Sequence, residues 1–319
     1  MSANRHALIL TPLAILGCLY ALYLVHRPDV AGQAGLAFWA FIVVLWLLTG
    51  FAISGLSHLK LKQPVARRAI GLAVPVLFGA FLFFLWEVIV IGAGVPSVLM
   101  PAPSAIAAKF SASLPLLRDD FFQTFVKSVL SGYAMGCLSG FLVAIIADRV
   151  PFLRRGLLPL GNFVSALPVI GIAPIMVMWF GFDWPSKAAV VVVMTFFPML
   201  VNTVTGLAAV GKLERDLMHS YAAGYWRSLL KLRLPVALPF IFNALKINST
   251  LALIGAIVAE FFGTPIVGMG FRISIEVARM SLDMVWAEIA LAAIAGSAFY
   301  GLVALIERGA TFWHPSYRT

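Results

Sequence analysis

The sequence predicts an all-α polytopic membrane protein, a transmembrane helical bundle of about eight spans. Three observations predict it. The 319 residues are 62% hydrophobic and 11% charged, with a mean hydropathy of +1.00, whereas a soluble domain is nearer half apolar and a quarter charged. The apolar residues gather into runs of spanning length, about 20 residues for a hydrocarbon core about 30 Å thick. The basic residues behind the net charge of +10 gather in the intervals that flank those runs. A basic chain can bind nucleic acid, but positives that border apolar runs fit anionic inner-leaflet lipid instead, so no nucleic-acid partner is expected.

The runs fall at about 7–25, 36–56, 70–93, 125–147, 157–181, 188–209, 237–262 and 287–306. The first follows Arg5 and His6, as a signal peptide would, but it is long for one and lacks a clear small-residue cleavage site. With the N-terminus inside, the inner intervals hold Arg5, Lys60, Lys62, Arg67, Arg68, Arg149, Arg154, Arg155, Lys212, Arg215, Arg227, Lys231, Arg233, Arg308 and Arg318. The outer ones hold Arg27, Lys109, Arg118, Lys187, Arg272 and Arg279. Fifteen against six puts both termini of this multi-pass membrane protein on the cytoplasmic side.

Two runs and the basic loop 57–69 form a unit, 1–69, set apart from the remainder, 70–319. After the third run, Pro96, Pro101 and Pro103 interrupt helix, and Pro103-Ser104 opens a short surface helix expected at 104–117. The fourth run spaces Ser128, Gly132, Gly136, Gly140 and Ala144 four apart, a face on which another helix packs closely, either in this chain or across a dimer. The fifth contains Pro159, Pro168 and Pro174 and must be broken or kinked, with freed carbonyls turned to protein or water. Its Asn162 and Ser165, with Asn202 in the sixth run and Asn248 in the seventh, are candidates for lining a transport path. Asn243, Ser249 and Thr250 add polarity to the seventh, and Lys246 near its inner end can snorkel. Glu260 closes the seventh run, and a carboxylate there is a candidate path or gate residue by default; an interfacial acid at the outer rim is the plain alternative.

Between the sixth and seventh runs, residues 212–239 are the longest polar interval of the second half. Leu213, Leu217, Met218 and Tyr221 recur at helical spacing, Ala222-Ala223-Gly224 breaks them, and a second amphipathic piece runs from Tyr225 to Leu232. Leu234-Pro235 closes the interval, with Pro placed for the first turn of the next helix. The reading is helix, tight turn, helix, along the membrane surface.

That layout resembles the EAA loop of bacterial ABC importer permeases. Aligned on Leu234-Pro235, Asp216 takes the acid's place, Leu217 and Met218 the two alanines', and Ala222 the glycine's; a register moved by two gives the glycine to Gly224. Other stretches are similar to permeases for nitrate, sulfonate, taurine and related solutes: Trp86-Glu87 followed by Met100-Pro101-Ala102-Pro103-Ser104, Trp179-Phe180-Gly181 with Ser186-Lys187, Phe196-Phe197-Pro198 with Asn202-Thr203, and Val258-Ala259-Glu260 with Gly268 and Gly270. The resemblance implies a MetI-like, type I permease core of six spans over 70–319, preceded by two extra helices. It implies a coupling loop at 212–235, with Asp216, Ser220, Ala222, Ala223, Gly224, Trp226, Arg227, Leu234 and Pro235 meeting an ATPase. It implies two copies of that ATPase, an extracytoplasmic substrate-binding protein, and a homodimer of the permease. Phe312-Trp313-His314-Pro315-Ser316 and Glu260-Phe261-Phe262-Gly263 look closer to the branch for pyrimidine vitamin precursors and riboflavin.

No cofactor is expected in this chain; ATP and magnesium belong to the partner subunit. Gly206 to Lys212 fits part of a phosphate-binding loop, but Leu213 stands where Ser or Thr would ligate magnesium, and the stretch follows an apolar helix. Neither H-E-x-x-H nor G-x-S-x-G occurs, so no catalytic residue and no metal site is expected, and the chain is not read as an enzyme. Cys18 and Cys137 lie in apolar runs as packing residues. The rival reading is an ATPase-independent secondary carrier or channel, which calls for interrupted helices in both halves and buried coupling acids.

Overall fold

The computed structural model describes residues 2–59, 63–165, 167–263 and 266–313, and among them it is helical throughout, with no strand. Among the described residues, six helices are long and apolar enough to cross a membrane: Leu36–Ser57, Val65–Gly92, Leu114–Arg149, Trp184–Ala208, Tyr225–Glu260 and Leu282–Ala310. Two further apolar helices, Ile9–Val25 and Val169–Phe180, are shorter. The chain gathers into two compact units, Met1–Ala112 with Met280–Ala287, and Ser113–Arg279 with Glu288–Thr319. The third apolar run thus packs with the first two, whereas the sequence grouping starts a new unit at residue 70.

In the first unit, α1 (Ser2–Val25), α2 (Leu36–Ser57) and α3 (Pro64–Gly92) share a core of Ala21, Val25, Ile42, Leu45, Phe81, Phe84 and Val88. The short α4 (Pro103–Ala112) starts where Pro103 presets the first helical turn. Its free N–H groups need an acceptor, and the buried Glu87 supplies one: Ser104 N–H donates to Glu87 Oε2 at 2.9 Å, while His26 Nε2 lies 3.2 Å from the other oxygen. Trp86 meets Trp286 edge to face at 4.9 Å. Glu87 therefore secures the start of the helix that follows the proline cluster.

The second unit is built around α8. Its helices are α5 (Leu114–Arg149), α6 (Pro151–Ser165), α7 (Val169–Phe180), α8 (Trp184–Ala208), α9 (Lys212–Ser220), α10 (Tyr225–Glu260), α11 (Met269–Ala278) and α12 (Leu282–Ala310); the first residues of α12 count with the first unit. The surface helix expected at 104–117 ends at Ala112. Pro115 has no N–H to continue the ladder, so a new helix starts at Leu114 and runs without interruption through the fourth span. A π-helical stretch, Phe122–Leu130, widens α5 near its start. The fifth run is two helices: Pro168, extended at ψ 124°, precedes α7 and separates it from α6.

The small residues of α5 face α8. A Cβ on Gly132 would lie 2.7 Å from the Ala188 carbonyl oxygen, and one on Gly140 would lie 2.5 Å from that of Phe196. Lipid tails are as apolar as the helices, so spans associate through close packing rather than release of water. This face is used within the chain. The other side of α8 meets α10, and Val129, Val191, Phe242, Ala252, Ala256, Met269 and Phe299 complete that core.

Candidate coupling site and transport path

The helix α8 has 25 residues and so spans about 37 Å at 1.5 Å per residue. Different structures occupy its two ends. At the C-terminal end lies the predicted coupling segment. None of the residues of α9 is buried. Leu213 is 83% exposed, Leu217 56% and Tyr221 76%; spaced four apart, they make one uncovered apolar stripe. Asp216 and Ser220 are exposed beside it, and Ser220 Oγ donates to the Leu217 carbonyl at 2.8 Å.

The turn after α9 decides the register. Ala222 N–H donates to the His219 carbonyl at 2.9 Å and Ala223 N–H to that of Met218 at 3.0 Å. This pair of bonds is a Schellman closure, which needs a left-handed residue at its first position past the cap. That residue is Ala222, at φ +51°. Gly224 has an ordinary φ of −62° and precedes the next helix. The left-handed position of this turn is thus Ala222 and not Gly224.

The second half of the segment departs from expectation. Tyr225 to Arg233 is not a separate surface helix; it passes through a π-helical turn, Leu229–Arg233, into the span that ends at Glu260. Pro235 thus lies inside a continuous helix, and the wide turn before it accommodates its missing N–H. Trp226 and Arg227 are exposed on this extension, while Leu234 and Pro235 are half-buried.

Three spans hold the segment. Asp148, at the end of α5, accepts from Arg233 Nη1 and Nη2 at 2.8 and 2.6 Å and from Tyr225 Oη at 3.0 Å. Arg233 also donates to the Leu207 carbonyl of α8 from Nε at 3.2 Å, and Arg215 donates to the Ala208 carbonyl at 2.7 Å. Both arginines so cap orphan carbonyls at the end of α8. Sequence reasoning counted these arginines as loop charge and passed over Asp148, whose one signal is an acid beside Arg149 at the end of a span.

At the other end of α8, Glu260 is 2% exposed. Its Oε1 accepts from Thr124 Oγ1 at 2.7 Å and its Oε2 from Gly270 N–H at 2.7 Å. Thr124 Oγ1 in turn accepts from Met269 N–H at 2.8 Å, and Asp120 Oδ1 from Gly268 N–H at 2.6 Å. Three side chains thus satisfy the free N–H groups that open α11, with the negative ends where the helix dipole favours them. Arg272 Nε pairs with Asp120 Oδ2 at 2.9 Å. Gly268 has φ +140°, and a Cβ there would meet the Glu260 carboxylate at 2.8 Å, so this backbone position requires glycine. The Val258-Ala259-Glu260 and Gly268-Met269-Gly270 pieces are two halves of one buried latch.

Several charges differ from their sequence assignments for the same reason. Lys187, counted as an outer-loop charge, is 1% exposed. Its Nζ donates to the carbonyls of Phe182, at 2.6 Å, and Gly263. Lys246 does not reach outward; it pairs with Glu307 at 2.7 Å. Arg272, also counted outside, is spent on Asp120. In each case a tertiary partner supplies what water would have supplied.

Of the path candidates, Asn202 is half-buried, its Nδ2 donating to the Pro198 carbonyl at 2.8 Å, and Asn243 Nδ2 approaches its Oδ1 at 3.5 Å. Asn248 is fully buried, donating to the Thr195 carbonyl at 2.8 Å and toward Cys137 Sγ at 3.2 Å. Asn248 and Glu260 therefore join helices. The side chains of Asn162 and Ser165, and the tail from His314 to Ser316, lie outside the described residues. A polar cavity of about 520 Å³, lined by Arg118, Gln123, Lys127 and Asp183 among others, opens near the start of α8.

Comparison with known proteins follows this geometry. The family of binding-protein-dependent transport system inner membrane components matches residues 132–312. The chain is similar to the riboflavin transport system permease protein of Chloroflexus aurantiacus, 28% identical over 77% of this chain and 91% of that protein. It is similar to the formylaminopyrimidine transport permease protein of Halalkalibacterium halodurans, 33% identical over 59% of this chain and 75% of that one. The taurine transport system permease protein of Escherichia coli is 24% identical over 81% of this chain and 94% of its own length.

Proposed function

The chain belongs to the family of inner membrane components of binding-protein-dependent transport systems, and from that membership we propose how its two ends work. It is a multi-pass inner-membrane permease subunit of an ABC importer, a system that also includes an ATPase and a substrate-binding protein. In our reading α9 is the coupling helix. Its Leu213, Leu217 and Tyr221 stripe seats in a groove of the ATPase, with Asp216, Trp226 and Arg227 at the rim. The observation that carries this is a helix with no buried residue that Arg215 holds to the end of α8 and that leads directly into α10, whose Arg233 is bonded to the ends of α5 and α8. Covering each large apolar side chain is worth about 1.5–3 kcal/mol, so three suffice for a firm grip.

Motion then passes through structure. Nucleotide binding favours one arrangement of two ATPase subunits, and two permease copies follow it because each binds one of them. Within each copy the push on α9 reaches α5 through Asp148 and Arg233, α8 through Arg215 and Arg233, and α10 directly along the helix. ATP and magnesium stay on the ATPase. The basic segments 57–69 and 212–235 face the cytoplasm with both termini, which puts the coupling end inside and the latch end outside, toward the binding protein. The path runs between the two copies past Asn202 and Asn243, joined by Asn162 and Ser165. The solute is a small polar molecule of the pyrimidine or riboflavin-precursor type, a class supported by the names of two relatives; taurine-like sulfonates are the competing class.

The test is uptake into proteoliposomes that contain the permease, with and without the ATPase. Uptake is expected only with ATPase, ATP and loaded binding protein, and Leu217→Asp should abolish both uptake and co-purification of the ATPase. Uptake undiminished without the ATPase would identify a carrier instead. Thermal shift of the binding protein against pyrimidines, flavins and sulfonates names the solute class.

A further inference from the structure

The coupling and path residues all lie in the second unit, and nothing so far gives the first unit a role. Between α2 and α3 it carries an open groove of about 740 Å³, lined by Trp46, Gly50, Ser54, Pro75, Phe78 and neighbouring apolar residues. No side chain fills it at Gly50: a Cβ built there meets nothing within 4 Å. The lining runs along α2 from Trp46 to Ser57, about 16 Å at the helical rise. That is half of a hydrocarbon core about 30 Å thick, the depth of one leaflet.

The two ends of the groove differ. At the Ser57 end, Ser57 Oγ donates to the Ser54 carbonyl at 2.7 Å, and the exposed His58, Arg67 and Arg68 follow. Val74, which also lines the groove, is two turns along α3 from Arg67 and Arg68. No acidic residue occurs between Asp29 and Glu87, so the neighbouring sequence offers these cations no counter-charge. An apolar trough of leaflet depth that ends at arginines with no ion pair among the described residues is complementary in shape and charge to one kind of molecule.

We propose that this groove is a binding site for an anionic phospholipid, with an acyl chain between α2 and α3 and its phosphate at Arg67 and Arg68. Basic residues at an anionic surface contribute about fivefold each. The bound lipid covers this apolar face of the first unit, and so gives these helices a lipid-dependent place in the membrane.

Native mass spectrometry of the purified full chain tests it, with phosphatidylglycerol and phosphatidylcholine as probes. Wild type should retain phosphatidylglycerol, and phosphatidylcholine should not displace it. Arg67→Gln with Arg68→Gln should weaken retention roughly thirtyfold. Gly50→Trp, placed in open space and so compatible with folding, should exclude the lipid and leave the unfolding temperature in detergent unchanged. Equal retention of both lipids would overturn the proposal, as would full retention by Gly50→Trp. A Ser54→Cys variant that cross-links to a second copy or another protein, rather than to a reactive lipid, would also overturn it.

Discussion

The two ends of the second unit use the same chemistry to opposite effect. Each is organised by an Asp–Arg pair that also holds backbone groups: Asp148 with Arg233 at the coupling end, and Asp120 with Arg272 at the latch end. The aspartate side chains are 3% and 0% exposed, respectively. What differs is what each pair holds. Asp120 helps close a buried helix start, together with Thr124 and Glu260. Asp148 and Arg233 join the start of α10 to the end of α5, beside α9, which has no buried residue and is held to α8 by Arg215. The first arrangement makes a rigid corner. The second makes a lever that is fixed at its root and free along its length.

If that contrast is right, breaking the latch should affect stability first. Asp120→Ala strands Arg272 and the Gly268 N–H, and removing one partner of a buried pair is worth about 3–5 kcal/mol. The expected result is a large fall in the unfolding temperature of the detergent-solubilised protein, with little folded material left to assay.

Asp148→Asn should separate the two properties. It loses charge-assisted hydrogen bonds worth about 1.5–3 kcal/mol, yet Asn keeps the shape of the site. Solute transported per ATP hydrolysed should drop more than the unfolding temperature does. A proportional loss of both would mean that the coupling end is only another rigid corner.

A smaller effect concerns Asp183, which caps α8 by accepting from Trp184 N–H at 2.8 Å. That bond, and a second from Gln123, hold its carboxyl below the usual carboxylate range. The stabilisation is therefore present at neutral pH and disappears as pH falls below about 4 through the depressed value. Asp183→Ala should remove about 1 kcal/mol and erase that acid-dependent component from a pH series of unfolding temperatures.

The smallest change should be a gain. Ala222 holds a left-handed conformation that glycine adopts without strain, so Ala222→Gly should stabilise the turn by about 1 kcal/mol or less. Hydrogen exchange at 218–223 would slow, and uptake would be preserved. Gly224→Ala should leave exchange at 218–223 unchanged, because its φ is ordinary.

Much of this architecture could be read from local pattern. Apolar runs of spanning length became helices, the proline-rich fifth run broke, and the small residues of the fourth accepted a neighbour. The sequence also located α9, because Leu213, Leu217 and Tyr221 repeat at helical spacing with polar residues between them. It did not reveal that Pro235 would sit inside a continuous helix, since a π-helical turn leaves no compositional mark. Nor did it reveal the ion pairs, whose members lie 85 and 152 residues apart.

Composition alone settled that this chain enters a bilayer, because the transfer of each run from water to hydrocarbon depends on its own side chains and little else. The same holds for the exposed α9, whose pattern is local. Which polar groups became structural was decided only in three dimensions. Glu260 and Asn248 each invited a path reading from sequence and Lys187 was counted as an outer charge, and each is buried against hydrogen-bond partners. The physical reason is that burying a polar group is governed by the partner it meets, and that partner is chosen by the packing of distant spans.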